Sequence, residues 1–411
     1  AALHERFGKL PFADVLEPAA EIAERGITLA PIVAHKWAAA IPALHDQPGF
    51  ADTFMPGGRA PKTGEKFVFK DAARTLRTLG RQGGRAYYEG EIAEAIVAYA
   101  KQTGGALTLE DLRGYQPEWV KPISQRYRGH EVHEIPPNGQ GIAALIALGI
   151  LEHFDLASLP VDSAQSQHLQ IEAMKLAFAD VYRYVADPSS MEVTPEQMLD
   201  PAYLASRARL IDPAKSTHPE HGMPRSGGTV YLSTADENGM MVSFIQSNYM
   251  GFGSGVVVPG TGISLQNRGA GFSLDPEHVN IVAPGKRPFH TIIPGFVMNA
   301  DGTPLMSFGL MGGPMQAQGH LQMMMRILRY KQNPQAAADA PRWRIEAGLK
   351  VAVERSFDRL VVEELRAKGH EVEIEDPSGV FAFGGAQIIQ RTAHGYVGGT
   401  DPRKDGLVAA Y

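Results

Sequence analysis

The spacing of apolar residues changes near the middle of the chain. In residues 11–210 the spacing is mostly helical, as in the segment 12–23, where apolar positions lie three or four residues apart. One strand is predicted in this half, Ile123–Ile135. The apolar run Ile142–Leu151 is typical of a buried helix, and Ser163–Tyr184 predicts a long amphipathic helix. The first half is therefore predicted to be a largely helical layer.

The second half alternates apolar and polar residues with a period of two. Three pairs of predicted strands flank turn sequences at Asn238-Gly239, at residues 299–302 and at His394-Gly395. Helices return at Met315–Tyr330 and Asp358–Lys368. Strands joined by short hairpins, with helices kept separate from them, predict an α+β layered fold with an antiparallel core. The same pattern disfavours a doubly wound dinucleotide fold.

The segment 212–228 separates the two halves. It is rich in histidine, proline, glycine and serine, so we predict an exposed loop. Exposed loops of this composition tolerate chain cleavage. We therefore expect this loop to be accessible to cleavage.

Composition narrows the classes of function. The 411 residues suffice for one large layered domain or two ordinary ones, and 44% apolar with 20% charged residues indicate a globular protein. The net charge of −6 argues against nucleic acid or an anionic membrane as the main partner. Cysteine is absent, which excludes disulfides and thiolate chemistry but leaves a cytoplasmic or periplasmic location open.

The start of the sequence and its longest apolar runs indicate whether a targeting segment or a membrane span is expected. No apolar run reaches the roughly 18 residues of a membrane span, so no membrane partner is expected. The first residues do not have the plan of a signal peptide. The sequence does not begin with methionine, and we expect that it starts inside a longer protein.

Three common catalytic motifs do not occur in the sequence: the zinc-binding His-Glu-x-x-His, the phosphate-binding loop and the Gly-x-Ser-x-Gly elbow. Histidine pairs do not replace them. His130 and His133 lie on the predicted strand, where an offset of three places them on opposite faces. His218 and His221 lie in the predicted loop and are expected to be solvated. We therefore expect neither a metal nor a cofactor.

One candidate nucleophile remains, Thr229, in the sequence Gly227-Gly228-Thr229 where the loop meets the first strand of the second half. If the preceding peptide bond is broken, the new α-amine, with a reference pKa of about 7.7–8.0, can accept the hydroxyl proton near neutral pH. One residue then supplies both nucleophile and base for acyl transfer. The alternative is that Gly-Gly-Thr is only a linker and the start of a strand.

Short motifs occur in one order along nearly the whole chain. They are Arg6–Phe12, Pro136-Pro137 with Gly139 and Gly141, Gly228-Thr229, Asp236–Gly239, Phe252–Gly255, Lys286–Pro288, Gly312-Gly313, Ala340–Arg342 and Thr400–Gly406. In this order they resemble the gamma-glutamyltransferase family of N-terminal nucleophile hydrolases. The resemblance implies a four-layer αββα sandwich that cuts itself between Gly228 and Thr229.

The same resemblance implies how the pieces are organised. Residues 1–228 would be part of a large subunit whose N-terminal segment, with an arginine for the substrate carboxylate, lies outside this sequence. Residues 229–411 would be the small subunit that begins with the nucleophile. The two fragments would stay associated as a heterodimer in one structural domain, and a dimer of these heterodimers is an open alternative.

The resemblance also assigns catalytic roles. Thr229 aligns with the catalytic threonine. Gly312 and Gly313 align with the glycines whose N–H groups form the oxyanion hole, where preorganised donors are worth about 10²–10³ in rate. Ser247 aligns with a threonine that bonds the nucleophile. The alternatives are an ordinary turn for the two glycines and a structural strand serine for Ser247.

The substrate-binding positions depart from the transferases of the family. Arg268 and Gly271 stand where those enzymes have a glutamine and an aspartate that bind the substrate α-ammonium group. An arginine would repel an ammonium and attract a carboxylate, although a structural salt bridge is the alternative. The other positions that the resemblance implies for substrate binding keep hydrogen-bonding groups in altered form: Asn248, Tyr249, His290 and Thr291.

Within the family, the runs 246–255 and 286–291 look most like the branch that contains oxamate amidohydrolase. Oxamate is a small amide with a carboxylate and no amine, which fits the lost ammonium site. The prediction is an amidohydrolase that forms an acyl-Thr229 intermediate, with oxamate as the best candidate substrate. The alternatives are a γ-glutamyl hydrolase or transferase, a glutaryl-type acylase and, from a different class, a catalytically inactive binding or scaffold protein.

Overall fold

The structure, a computed structural model, describes residues 1–219, 228–376 and 382–411. Its contacts group the chain into two compact units. Unit 1 contains Ala1–Trp119 and Phe252–Asn267, and unit 2 contains Val120–Gly251 and Arg268–Tyr411. The expected cut between Gly228 and Thr229 concerns the covalent chain and not the packing into units. It therefore stays a prediction.

The described residues form fourteen α-helices and fifteen strands. The α-helices are α1 (Ala2–Phe7), α2 (Phe12–Arg25), α3 (Pro31–Leu44), α4 (Phe50–Phe54), α5 (Lys70–Gln82), α6 (Glu91–Gln102), α7 (Leu109–Gly114), α8 (Gly141–Leu151), α9 (Ala164–Tyr184), α10 (Pro195–Met198), α11 (Pro201–Ala208), α12 (Met315–Met324), α13 (Pro334–Asp339) and α14 (Arg359–Ala367). The strands are β1 (Ile27–Thr28), β2 (Lys66–Phe67), β3 (Ile123–Tyr127), β4 (His130–Glu134), β5 (Gly228–Ala235), β6 (Met241–Tyr249), β7 (Val257–Val258), β8 (Ile263–Ser264), β9 (Gly295–Asn299), β10 (Pro304–Met311), β11 (Trp343–Ala347), β12 (Lys350–Glu354), β13 (Glu371–Glu375), β14 (Gly385–Thr392) and β15 (Gly395–Thr400).

Unit 1 is mainly helical, as the sequence predicts, and its core is aromatic. The ring of Trp37 on α3 packs edge-on against Phe67 of β2, with 4.8 Å between the centroids, and Phe54 of α4 packs against both rings. On the surface of this unit, Arg77 of α5 donates to Glu17 of α2 at 2.8 Å. Two short antiparallel pairs, β1 with β2 and β7 with β8, complete the unit.

Unit 2 is built on a six-stranded sheet in the order β15-β14-β10-β9-β4-β3, in which every neighbouring pair is antiparallel. The three predicted hairpins are confirmed as β5–β6, β9–β10 and β14–β15. The single strand predicted for Ile123–Ile135 is wrong. It is the hairpin β3–β4, because Arg128 and Gly129 take positive φ values of 51° and 80°, as a two-residue hairpin turn requires.

The two faces of this sheet carry different layers, and alternate residues of β10 show which layer covers each face. Phe308 points to the helical layer, where its ring lies 4.7 Å from the ring of His320 on α12. Ser307 points the other way and donates to Ser233 of β5 at 3.0 Å. Unit 2 therefore stacks helices on one face of the sheet and the β5–β6 hairpin on the other.

The helical layer explains the apolar runs of the sequence. All eleven residues of α8 are buried, which confirms the buried helix predicted for Ile142–Leu151. The helix α9 begins after Ser163, whose Oγ accepts from the N–H of Ser166 at 3.3 Å as an N-cap. Among the described residues, none of the helices has both the length and the apolar character needed to cross a membrane.

A second sheet, in the order β11-β12-β13, was not predicted. The pair β12–β13 is parallel, and the crossover between the two strands is α14. Two of the sequence motifs meet near this sheet in a buried ion-pair network. Arg342 donates to Asp401 at 2.6 Å, Arg403 donates to Asp401 at 3.1 Å, and Glu354 accepts from the N–H of Arg342 at 2.8 Å and from Arg403. Arg342–Asp401 thus has a structural role.

Candidate active site

The predicted nucleophile lies at an irregularity of the β5–β6 ladder. Gly228 pairs with Tyr249 and Val230 pairs with Gln246, so two residues of β6 face the single residue Thr229. Those two residues are Ser247 and Asn248. Bulges of this kind redirect side chains and are frequent next to active sites. The residues 220–227 of the predicted loop, with His221 and Gly227, lie outside the described residues.

The predicted oxyanion glycines connect β10 to α12. Gly312 and Gly313 have φ values of 131° and 61°, which side chains other than glycine rarely adopt. A Cβ on Gly312 would also lie 2.9 Å from the Cα of Gly384. The helix that follows begins at Met315, so the positive end of its dipole lies beside these glycines.

The first turn of α12 reaches the nucleophile. Gln316 is fully buried, and its Nε2 donates to Oγ1 of Thr229 at 3.3 Å. Its backbone N–H donates to the carbonyl of Gly313 at 3.0 Å. The predicted glycine pair and the predicted nucleophile are therefore joined by one residue, Gln316, to which the sequence analysis gave no role.

A second glutamine joins the glycine pair to the predicted substrate-binding residues. The Nε2 of Gln140 donates to the carbonyls of Thr291 and Gly313, both at 2.9 Å. The backbone of the same motif pairs with His290, whose N–H donates to Asn138 at 3.1 Å and whose carbonyl accepts from Gln140 at 3.0 Å. The sequence analysis identified the motif around Gly139 and Gly141 but assigned no role to Gln140.

Arg268 begins a 3-10 turn that ends at Gly271. Its guanidinium carbon lies 5.4 Å from the centroid of the Tyr249 ring. Burial lowers the pKa of Arg268, but an arginine stays charged at any physiological pH. The backbone N–H of Tyr249 donates to Oγ of Ser247 at 2.8 Å. Arg268 is thus placed next to the strand that faces Thr229.

The imidazole of His290 is neutral. Burial, together with the positive charges of Arg268 and Arg287, lowers the pKa of His290 to about 3. Its Nδ1 is buried and has no hydrogen-bond partner among the described residues. Among the predicted substrate-binding residues, Arg268 is therefore the one that carries a positive charge.

A cavity of about 310 Å³ lies beside these residues in unit 2. The phenol of Tyr182 on α9 and the hydroxyl of Thr291 are buried there without hydrogen-bond partners among the described residues, and burial raises the pKa of Tyr182. Asn280 shapes the wall by donating to Gly271 at 2.7 Å and accepting from the N–H of Phe289 at 2.9 Å. The lining residues are Tyr182, Val185, Tyr249, Ala270, Gly271, Phe272, Ser273, His278, Asn280, Phe289 and Thr291.

Three buried residues, His168, Glu172 and His370, form the one cluster of possible metal ligands found among the described residues. The ammonium of Lys175 lies 2.9 Å from Glu172 and 3.4 Å from Nδ1 of His370. A divalent cation would be repelled by this charge.

Glu172 also accepts from the N–H of Thr217 at 2.9 Å, so the start of the predicted exposed loop is bound to the core.

Comparison with known proteins places this chain among hydrolases. The sequence profile of the family described as gamma-glutamyltranspeptidase matches residues 1–411. The chain is 36% identical over 416 residues to the glutathione hydrolase-like YwrD proenzyme of Bacillus subtilis (strain 168), with 98% of this chain and 78% of that protein covered. It is 37% identical over 408 residues to the oxamate amidohydrolase proenzyme of Klebsiella pneumoniae subsp. pneumoniae, with 98% and 76% covered.

A solved structure extends the comparison to the fold. The cephalosporin acylase from Bacillus halodurans superimposes with a TM-score of 0.94 at 48% sequence identity, covering 100% of this chain and 76% of that one. This likeness confirms the predicted α+β fold class. No comparison tests the individual site residues, whose roles stay predictions.

Proposed function

Because the chain belongs to the gamma-glutamyltranspeptidase family of hydrolases, we propose that it is a proenzyme that cuts itself before Thr229 and then hydrolyses small amides that carry a carboxylate. The observation that carries this proposal is the position of Thr229 at a β-bulge, opposite Ser247 and in contact with the helix that follows Gly312-Gly313. These contacts support the assignment of Thr229 as the nucleophile, Ser247 as the supporting hydroxyl and Gly312-Gly313 as the oxyanion hole.

Self-cleavage would start with the hydroxyl of Thr229. Its Oγ1 attacks the carbonyl carbon of Gly228, the hydroxyl proton passes to the leaving nitrogen, and the C–N bond breaks, so the acyl group moves from nitrogen to oxygen and the α-amine of Thr229 is freed. Water then hydrolyses the ester, which leaves a carboxylate on Gly228 and restores the hydroxyl of Thr229. The products are a fragment of 183 residues that begins at Thr229, since 411 − 228 = 183, and a larger N-terminal fragment.

Amide hydrolysis would use the same oxygen. The α-amine of Thr229 accepts the hydroxyl proton while Oγ1 attacks the substrate carbonyl. The N–H groups of Gly312 and Gly313 would stabilise the oxyanion, and the protonated amine returns its proton to the leaving nitrogen. Water then releases the acyl group from Thr229 as a carboxylic acid. Every step uses groups of the chain, the substrate and water.

The charge of the acyl group follows from Arg268. His290 is neutral, so among the predicted substrate-binding residues Arg268 is the one that carries a positive charge. A guanidinium attracts a carboxylate, preferably in a bidentate pair, and repels an α-ammonium group. This supports an acyl group with a carboxylate and without an amine, and it disfavours a γ-glutamyl substrate.

Oxamate is our first candidate substrate, and its hydrolysis would give oxalate and ammonia. The cavity next to Thr291 favours a second candidate with a longer chain. Its volume is about 310 Å³. A glutaryl group would fill this space better than the two-carbon acyl group of oxamate.

A matched set of substrates tests the proposal. Ammonia release is measured with oxamate, and nitroaniline release is measured with glutaryl-4-nitroanilide and γ-glutamyl-4-nitroanilide, which differ only in the α-amino group. We expect turnover of at least one of the first two and little turnover of the third. The reverse order would contradict the predicted loss of the ammonium site.

Two variants test the nucleophile in the same assays. Thr229→Ala should block both cleavage and turnover, whereas Thr229→Ser should keep part of each. N-terminal sequencing of the smaller fragment should begin at Thr229. An uncut chain with full activity would contradict the mechanism, and a correctly cut chain without activity on any amide would support the inactive scaffold.

A further inference from the structure

Gln316 contacts the predicted nucleophile, but the reaction steps of the proposed function give it no role. Gln316 has 0% exposure, and its Nε2 lies 3.3 Å from Oγ1 of Thr229. We propose that Gln316 is a catalytic residue that donates a hydrogen bond to Thr229 Oγ1 during both self-cleavage and amide hydrolysis. This inference rests on the proposed role of Thr229 as the nucleophile.

The backbone fixes the orientation of the Gln316 amide. Its Oε1 accepts from the N–H of Ile293 at 3.1 Å. An amide oxygen can only accept and an amide nitrogen can only donate, so Nε2 is the atom that faces Thr229. The distance of 3.3 Å is long for such a bond, but catalytic hydrogen bonds often shorten only when the reaction proceeds.

A donor at this position determines the direction of the hydroxyl proton. Because Oγ1 of Thr229 accepts from Gln316, its own proton must point to a different acceptor. After cleavage, the α-amine of the same residue is a base within reach. Gln316 therefore favours the rotamer in which the hydroxyl of Thr229 can transfer its proton to the amine.

The same hydrogen bond strengthens as the reaction advances. When the proton leaves Oγ1, the oxygen becomes negative, and a bond to a charged acceptor is stronger than a bond to a neutral one. An interaction that is stronger in the transition state than in the ground state raises the rate. Gln316 also donates its backbone N–H to the carbonyl of Gly313, so its side-chain donor and the predicted oxyanion glycines are linked by one hydrogen-bonded turn.

The helix offers a matched control. Gln318 is also fully buried, and its Oε1 also accepts from a backbone N–H, that of Ile345 at 2.7 Å. Its Nε2 donates to the carbonyl of Pro314 at 3.4 Å. Replacing either glutamine removes a buried amide from α12, but only Gln316 is bonded to the nucleophile in this structure.

The test compares Gln316→Met with Gln318→Met in the full chain. Self-cleavage is followed by the appearance of the fragment that begins at Thr229, and kcat is measured on oxamate and on glutaryl-4-nitroanilide. We expect Gln316→Met to slow self-cleavage and kcat by about 10- to 100-fold, with a much smaller change in Gln318→Met. The two variants should lose similar amounts of thermal stability, because both leave a backbone N–H without its acceptor.

Gln316→Glu provides a second measurement that keeps the shape of the side chain. The ionised carboxylate can still accept from Ile293, but it has no proton to donate to Thr229, and burial moves the titration of such a carboxyl group to higher pH. We expect the rate of self-cleavage, relative to the wild type, to be low at pH 9 and to recover as the pH falls and the carboxyl group becomes protonated. A ratio of rates that does not depend on pH would overturn the inference, even if Gln316→Met fails to fold.

Failure of the inference can be told apart from failure of the proposed function. If Thr229→Ala is inactive while Gln316→Met cleaves itself and turns over amides within twofold of Gln318→Met, the role of Gln316 is wrong and that of Thr229 stands. If Thr229→Ala still cleaves itself and hydrolyses amides, the proposed function itself is wrong.

Discussion

The guanidinium of Arg268 lies over the ring of Tyr249, with 5.4 Å between Cζ and the ring centroid. Tyr249 is buried, and its φ of 81° is unusual for a residue with a side chain. Its N–H donates to Ser247, which faces Thr229 across the bulge. A cation over an aromatic face gains about 0.5–2 kcal/mol, so this ring helps to hold Arg268 near the predicted nucleophile.

The position of Arg268 leads to a prediction about substrate charge. Arg268→Ala should lower kcat/KM for a carboxylate-bearing amide by about 10- to 100-fold, because charged hydrogen bonds are worth roughly 1.5–3 kcal/mol. The effect should be far smaller on an analogue whose carboxylate is esterified. The measurement is kcat/KM on both members of such a substrate pair.

Arg287→Ala is the matched control for this experiment. Arg287 is an exposed cation that also acts on the pKa of His290. Its removal should change kcat/KM on the acid and on the ester by similar small factors. Equal losses on both substrates in Arg268→Ala would mean that Arg268 is structural.

Gly271 limits any attempt to rebuild an ammonium site. A Cβ on this residue would overlap the carbonyl oxygen of Phe289. Gly271→Asp should therefore displace the segment 287–291 and cost about 1–3 kcal/mol in stability. We expect that Arg268→Gln combined with Gly271→Asp does not produce γ-glutamyl-4-nitroanilide hydrolysis. Efficient hydrolysis by this double variant would show that the backbone near Gly271 and Phe289 can move to accept the new side chain. It would contradict the prediction.

Local sequence signals were sufficient for much of the fold. The hairpin β5–β6 was predicted because Asn238-Gly239 is a strong turn sequence, and α8 was predicted because every residue in it is small or apolar. The parallel pair β12–β13 was missed because its pairing depends on a crossover and not on a turn between adjacent strands. Arg128-Gly129 was missed because arginine is an uncommon residue in a turn with positive φ.

The site was predicted only where a motif marked it. Thr229 was found from its glycines, whereas Tyr182 and Gln316 lie inside helices whose pattern indicates only core. Tyr182 reaches the cavity near Thr291 from a position 109 residues earlier in the chain, since 291 − 182 = 109. Such contacts depend on tertiary packing, so no local pattern in the sequence could reveal them.

The buried histidine cluster predicts how stability depends on pH. Burial, with the charges of Lys175, His168 and Lys368, lowers the pKa of His370 to about 3. In the unfolded chain the pKa is about 6.5, so between these values the unfolded state binds one more proton and stability falls as the pH falls. From pH 7 to pH 5 this one histidine should cost about 2 kcal/mol.

Urea unfolding at pH 7 and pH 5 measures this dependence. His370→Gln keeps a polar side chain at the site but does not titrate, so its loss of stability between the two pH values should be smaller than in the wild type by about that amount. His153→Gln is the control, because it replaces an exposed histidine of the same unit. An equal pH dependence in the wild type and His370→Gln would contradict the assignment.

The buried ion pair between Arg342 and Asp401 predicts a large loss of stability when one of its side chains is replaced. Both side chains are buried, and Arg403 also contacts Asp401. Although burial alone would raise it, Arg342 and Arg403 lower the pKa of Asp401 below its usual value. The pair therefore contributes stability above the unfolded pKa of about 3.9, and this contribution is lost as the pH falls through the lower folded pKa.

Asp401→Asn should cost about 3–5 kcal/mol near pH 7, because it leaves two arginines buried beside a neutral amide. Asp71→Asn removes the exposed partner of Arg74, a pair 2.8 Å apart, and should cost at most about 1 kcal/mol. Both values follow from urea unfolding at neutral pH, and thermal scans between pH 5 and pH 2 should show a steeper decline in the wild type than in Asp401→Asn. If Asp401→Asn and Asp71→Asn lose equal stability, the buried ion pair contributes no more to stability than an exposed one. That result would contradict the prediction.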